Sequence, residues 1–200
     1  MKQLLLATHN RDKAKEFQAM FADLEIEVIT LDAFPHIGET VEDGETLEEN
    51  ALKKAREAHA VAGIPVMADD TGLEVFYLNK APGVYSARYA GPDATYEDNV
   101  KKLLQAMRGV PPRRRDAQFR CVLALVGWAE REIVVEGVCP GVITEKPRGT
   151  KGFGYDPIFL PVGQDKTFAE MDPSLKNSVS HRGNALRNMV EVMRTGNPIQ

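Results

Sequence analysis

Two cysteines in 200 residues, Cys121 and Cys139, each lying in an apolar, strand-like stretch, exclude a disulfide framework or a zinc cluster. No apolar run approaches the length of a membrane span. The opening Leu4-Leu5-Leu6-Ala7 gives way to Thr8-His9-Asn10 too early for a signal-peptide core, so a cytoplasmic protein with no membrane partner is expected. A basic excess is missing as well. With a formal net charge of -4 the chain lacks the counterion-releasing surface of a nucleic-acid binder, and no nucleic-acid partner is expected. The basic run Arg113-Arg114-Arg115 is local, and beside Pro111-Pro112 it reads as an exposed turn.

Several catalytic signatures are also absent. Gly-x-x-x-x-Gly-Lys-Ser/Thr occurs neither in the first loop nor around Gly149-Thr150-Lys151-Gly152, which excludes a P-loop. No serine stands in Gly-x-Ser-x-Gly, and His9, His36 and His59 lack metal-ligand spacing, so serine hydrolase and zinc hydrolase chemistry both fail.

What is present is an ordinary globular composition, 43% hydrophobic and 27% charged, enough for a buried core and a single domain over residues 1–200. Leu4 to Ala7 is a short apolar run, as expected of a strand covered on both faces. Phe17, Met20, Phe21 and Leu24 then recur at helical spacing. A second strand is expected over Ile26 to Leu31, a loop over residues 32–45, and a helix from Leu47 to Ala62 announced by the capping box Thr46-x-x-Glu49. The apolar run Ile64 to Ala68 stops at Asp69-Asp70-Thr71-Gly72, which reads as a strand end. Further on come a helix from about Thr95 to Gly109 and strands over Ala117 to Trp128 and Glu132 to Val138. A glycine-rich loop at 147–157 and a helix from near Ser180 follow. Helices and strands alternate early and strands cluster late, which predicts an α/β fold with a mixed sheet.

Thr8 to Lys13 joins the first strand to the first helix, so backbone N–H groups and the positive helix end face that loop, and phosphate oxygens are its natural occupant. Thr8 and Asn10 would equally serve as helix caps. Asp69 and Asp70 are adjacent on a strand, where side chains alternate, so the two carboxylates are expected to divide into two roles. One would reach Mg²⁺, which needs only one or two carboxylates beside substrate phosphates, and the other would orient or deprotonate water. The Asp-Asp-Thr-Gly string is also good turn chemistry. Glu42 or Glu45 would supply a further ligand, although an acidic loop over 39–45 is by default solvated. Asn50 and Lys54 lie one turn apart and face one side of their helix. Two aromatics in Gly152-Phe153-Gly154-Tyr155-Asp156-Pro157 suit either a nucleobase platform or a tight turn packed inward.

Taken in order, the motifs Thr8-x-Asn10-x-x-Lys13, Glu49-Asn50-Ala51, Ala68-Asp69-Asp70-Thr71-Gly72-Leu73, Ala81 to Tyr89, Gly152 to Phe159 and Lys176-x-x-x-Ser180-His181-Arg182-Gly183 resemble the inosine/xanthosine triphosphate pyrophosphatases over about 180 residues. The resemblance implies a Mg²⁺-dependent hydrolase. It would convert non-standard purine triphosphates, those of inosine, deoxyinosine and xanthosine, to the monophosphate and pyrophosphate by attack of water at the α-phosphorus. It also implies an elongated mixed sheet with flanking helices, two lobes around a central cleft, and a homodimer. By residue-wise correspondence, Thr8, His9, Asn10 and Lys13 would hold phosphates with Lys54 and Thr71 assisting. Glu42 and Asp70 would hold Mg²⁺, and Asp70, supported by Asp69, would be the base. Phe153, Gly154, Tyr155, Asp156, Lys176, His181 and Arg182 would enclose the purine. His9 stands where glycine is frequent and Thr71 where serine is frequent. A purine with a 6-oxo group would meet donors from Lys176, His181 or Arg182, whereas the adenine amine would face a donor, a mismatch worth a few kcal/mol when buried. A pyrophosphatase for modified pyrimidine nucleotides would share the phosphate and metal residues, and an RNA-binding module using Phe153 and Tyr155 is weighed against by the acidic balance.

Overall fold

The computed structural model describes residues 2–22 and 24–195. Among the described residues there are seven strands: β1 (Lys2–Leu6), β2 (Ile26–Thr30), β3 (Val66–Val75), β4 (Pro82–Gly83), β5 (Asp116–Trp128), β6 (Arg131–Ile143) and β7 (Phe159–Pro161). Five α-helices accompany them among the same residues: α1 (Arg11–Phe21), α2 (Leu47–Ala62), α3 (Tyr96–Ala106), α4 (Pro173–Val179) and α5 (His181–Thr195). The ladder order is β2-β1-β3-β5-β6-β7, with β4 paired to β3. Parallel pairing joins β1 to β2 and β3, while β3/β4 and β6/β7 are antiparallel, so the sheet is mixed as expected.

The chain divides into two compact units, neither of them a continuous stretch. One comprises residues 1–70, 121–137 and 182–200, the other residues 71–120 and 138–181. In the first unit Leu4, Leu6 and Met67 of the parallel strands pack with Phe17 and Phe21 of α1 and with Leu186 and Met189 of α5. The i, i+3, i+4 spacing of those helical residues is what gathers them on one face. The bounds of α2 coincide with expectation because both ends carry strong signals. Thr46 and Glu49 form a reciprocal capping box, and Gly63 closes the helix in the left-handed conformation.

Two boundaries differ from the sequence reading. β3 does not end at Asp69-Asp70 but continues to Val75, with both aspartates in its interior and nearly the whole strand buried. Polar side chains ended the apolar pattern while the backbone ladder went on. β6 likewise extends on to Ile143.

In the second unit Leu103 and Met107, from α3 and its C-terminal cap, pack with Phe119, Phe159 and Phe168. The expectation of an exposed turn at Arg113-Arg114-Arg115 holds only for the first two residues. Arg115 is buried, its guanidinium donating to the carbonyls of Ile143 (2.6 Å), Thr144 (2.8 Å), Met107 (2.9 Å) and Val110 (3.3 Å). The planar fork of five N–H groups suits this task, tying the end of α3 to the end of β6. Replacing Arg115 by Met should lower unfolding free energy by on the order of 3 kcal/mol, because several buried carbonyls lose their donor. Arg115→Lys should recover only part of it; denaturant midpoints of the three proteins decide, and equal midpoints would contradict the assignment.

Candidate functional site

In the first unit, strand alternation sends Asp69 and Asp70 to opposite faces of β3. Each meets its own set of charges. Asp69 Oδ2 lies 2.8 Å from Lys13 Nζ and 3.8 Å from Arg182 Nε. Arg182 also pairs with Glu16. Burial would push the Asp69 carboxyl up, but the charges of Lys13, Arg182 and Lys54 outweigh it and hold the pKa down at about 2. Asp70 Oδ1 accepts from Lys54 Nζ at 3.0 Å, and the same ammonium reaches Glu42 Oε1 at 2.8 Å. Here burial prevails. Despite Lys54 and Lys13, and with Glu42 adding to the rise, the Asp70 carboxyl is shifted above the usual carboxylate range. Burial disfavours the Lys54 charge, yet Asp70, Asp69 and Glu42 together raise its pKa.

The two aspartates thus face opposite ways into different surroundings, the Asp69 carboxyl held below its ordinary value and the Asp70 carboxyl pushed above it.

Glu42 is not on a merely solvated loop. Residues 40–46 run back along α2 and are fastened to it in register. Thr40 Oγ1 donates to Glu57 (2.7 Å), Lys53 donates to the Val41 carbonyl (2.9 Å) and to Asp43 (2.6 Å), and Lys54 holds Glu42. Gly44 N–H donates to Asn50 (2.8 Å), and the Glu45 and Thr46 N–H groups donate to Glu49. The partners 49, 50, 53, 54 and 57 are spaced as one helical face.

At the β1–α1 junction the capping role is visible. Asn10 Oδ1 accepts from the N–H groups of Asp12 (3.0 Å) and Lys13 (3.1 Å), and Asn10 N–H donates to Thr8 Oγ1 (3.2 Å). Capping does not conflict with anion binding, because it organises the helix start and aims its positive end. His9 is exposed, its Nε2 3.3 Å from the Gly38 carbonyl.

The second unit carries the aromatic and donor residues. Lys176, buried on α4, donates to Asp156 Oδ2 (2.5 Å), and its ammonium lies 4.9 Å from the Phe153 ring centre and 5.5 Å from that of Phe168. Asp156 Oδ2 also accepts from Phe153 N–H at 2.9 Å. A Cβ at Gly152 would come 2.0 Å from that oxygen, and the residue has φ +72°, so only glycine fits there. Gly154 is likewise left-handed, with φ +60°. His181 stacks on Phe119 with ring centres 4.5 Å apart. Thr71, next to Asp70 on β3, is half-buried.

Three of the expected base-contact residues hold partners within the protein. Tyr155 is packed in the core with its hydroxyl donated to the Ser86 carbonyl (2.8 Å), so it braces the loop and offers no stacking face. Asp156 is engaged with Lys176 and Phe153. Arg182 does not accompany His181: consecutive residues of a helix point about 100° apart, and Arg182 turns to Glu16 and Asp69 in the first unit. Phe119, Phe168 and Glu16 were not singled out from sequence for this site. No local pattern marks the first two, while Glu16 lies three residues after Lys13 on α1, a neighbouring helical position.

Among the described residues no group of three or more His, Cys, Asp or Glu side chains is arranged to hold a metal. Glu42 and Asp70 instead form a pair of hard oxygen donors sharing one ammonium, a set with one more negative than positive charge. None of the helices, among the described residues, is long and apolar enough to cross a membrane.

Comparison with known proteins follows the same lines. A dITP/XTP pyrophosphatase of Escherichia coli O157:H7 is 43% identical over 98% of this chain and 100% of its own length. One of Geobacter sulfurreducens is 46% identical over 93% of this chain and 94% of its own. Among solved structures, a HAM1 protein from Coxiella burnetii superposes with a TM-score of 0.87 at 42% identity, covering 97% of this chain and 99% of that one. The Staphylococcus aureus Ham1 protein gives 0.86 at 37%, covering 98% of this chain and 100% of that one. The model of the Ham1 family matches residues 4–192, and with relatives this similar over nearly their whole length the chain belongs to the Ham1 family.

Proposed function

We propose that the chain hydrolyses non-standard purine nucleoside triphosphates, those of inosine, deoxyinosine and xanthosine, to the monophosphate and pyrophosphate, with Mg²⁺ as cofactor. The observation that carries this reading is the division of labour at Asp69-Asp70, one carboxylate neutralised by Lys13 and Arg182 and the other raised in basicity beside Glu42. Relatives named for dITP and XTP supply the substrate class.

The residues fit a magnesium ion. Glu42 and Asp70 offer two carboxylates, a number that Mg²⁺ commonly takes from protein when phosphates and waters complete its shell, and Lys54 now bridges them as a cation would. When bound, the ion would supply charge neutralisation for the phosphate chain. The remaining work belongs to the chain. Lys13, anchored by Asp69, and the α1 N-terminus attract phosphate oxygens, with Thr8, His9 and Asn10 in the same loop, while Thr71 is assigned to the substrate by its motif alone. Lys54 can exchange a carboxylate for a phosphate oxygen. Asp70 accepts the proton of the attacking water, a task its raised pKa favours. Lys176, held in place by Asp156, and His181, held by Phe119, present donors to a 6-oxo purine beside the Phe153 ring, within a loop braced by Gly154 and Tyr155. The reading carries with it a homodimer in the cytoplasm without a nucleic-acid partner.

Pyrophosphate release should be fast from inosine, deoxyinosine and xanthosine triphosphates and slow from adenine, guanine and pyrimidine ones, and should cease with a chelator and return with Mg²⁺. Equal rates across the panel, or release of single phosphate, would sink the proposal. Asp70→Asn should reduce kcat by about 100-fold or more while the protein stays folded; retained turnover would move the proton-accepting role elsewhere. Asp69 gives a pH prediction. Its pKa is about 2 folded against 3.8 for the free side chain, so its ion pairs contribute stability above pH 3.8 that is lost as pH falls through about 2. In chelator, Asp69→Asn should lower stability near pH 7 by on the order of 2 kcal/mol and narrow the gap from wild type as acid is added; a gap independent of pH would show that the carboxylate charge is not what stabilises the fold.

A further inference from the structure

Asn50 is fully buried on α2, one turn before Lys54. Its Oδ1 accepts from Gly44 N–H at 2.8 Å, and its Nδ2 donates to Asp70 Oδ2 at 3.4 Å. A backbone N–H can only donate and a carboxylate can only accept, so both neighbours select the same orientation of the amide. Lys54 meets the other oxygen, Asp70 Oδ1, at 3.0 Å. Two donors at i and i+4 of one helix thus take one oxygen each of the same carboxylate, which opposes its rotation about the Cβ–Cγ bond. Gly44 is packed hard against this arrangement: a Cβ there would lie 2.7 Å from Asn50 Oδ1 and 2.9 Å from Glu49 Cβ.

We infer that Asn50 is a positioning residue for the hydrolysis, fixing the rotation of the Asp70 carboxylate while Gly44 fixes the Asn50 amide. The inference rests on the proposed role of Asp70 toward water and metal. A purely structural account would make Asn50 a fastener of the acidic loop. That loop, however, keeps its bonds to Glu49, Lys53, Lys54 and Glu57 when Asn50 is removed. What disappears is the acceptor of Gly44 N–H together with the donor on Asp70 Oδ2. The neighbouring Lys54 already donates to Oδ1 and to Glu42. A neutral amide also supplies that donor without placing a second positive charge beside Asp70.

The test compares wild type, Asn50→Ala, Gly44→Ala and the double variant, each shown folded by circular dichroism, with inosine triphosphate over a range of Mg²⁺. Asn50→Ala should lower kcat by about 10–100-fold and weaken Mg²⁺ binding to nucleotide-free protein, read by calorimetry, by about 10-fold, with KM for nucleotide changed less than about threefold. Gly44→Ala should lower kcat when Asn50 is present and add little when it is absent, because its effect passes through that amide. A folded Asn50→Ala protein with wild-type kcat and Mg²⁺ affinity, or a Gly44→Ala effect that persists undiminished without Asn50, overturns the assignment. An active wild type beside such variants defeats this inference alone, whereas a wild type that releases no pyrophosphate defeats the functional reading and this assignment with it.

Discussion

Two adjacent carboxylates buried inside a strand are the constraint around which the first unit is organised. A buried carboxylate is tolerated only with a partner charge or with its proton on, and neighbours on a strand face opposite ways, so each makes its direct contacts with different side chains. Asp69 and Asp70 therefore require two separate sets of donors. Lys13 of α1 and Arg182 of α5 serve the first, Lys54 and Asn50 of α2 the second. The apolar cluster agrees with that division, gathering Phe17 and Phe21 of α1 with Leu186 and Met189 of α5. Helices on both faces of the sheet are thus needed twice over, for apolar cover and for charge.

The two sets are not equivalent. Around Asp69 the cations Lys13 and Arg182 face Asp69 and Glu16, so positive and negative charges match in number, and the Asp69 pKa falls. Around Asp70 one ammonium touches two carboxylates, Glu42 and Asp70, and burial outweighs Lys54 and Lys13 so that the Asp70 pKa rises. The shortfall of positive charge lies where a divalent cation is proposed. Under the proposed function the balanced half would be scaffold and the unbalanced half chemistry, although the two side chains are the same amino acid one residue apart.

Much of this was legible in the sequence. The helical spacing of Phe17, Met20 and Phe21, the Thr46-Glu49 capping box and the alternation that splits Asp69 from Asp70 are local facts, and local facts survive folding. What escaped was long-range compensation. The interior of β3 looked like a strand end because Asp69-Asp70-Thr71 is polar, and nothing nearby shows that Lys13 and Lys54 make burial tolerable. The acidic loop looked solvated for the same reason, its partners lying on the following helix at positions that matter only once loop and helix run side by side. Arg115 looked like the third member of an exposed triplet, because carbonyls leave no trace in a sequence.

Family motifs raise a related difficulty, since they are strings along the chain whereas roles are set by direction in space. His181-Arg182 reads as one donor cluster, but at the start of a helix the two side chains diverge by about 100°, and one stacks on Phe119 while the other pairs with Glu16. Phe153-Gly154-Tyr155-Asp156 reads as one binding loop, yet Tyr155 and Asp156 spend their polar atoms on Ser86, Lys176 and the Phe153 N–H, leaving Phe153 as the aromatic beside the Lys176 ammonium. Asp69-Asp70 divides in the same way under strand geometry. In each string the periodicity of the backbone element sorts neighbours into those that could meet a ligand and those that hold them in place. A motif match thus carries the family, while the assignment of each residue within it waits on the dihedral angles of the element it sits on.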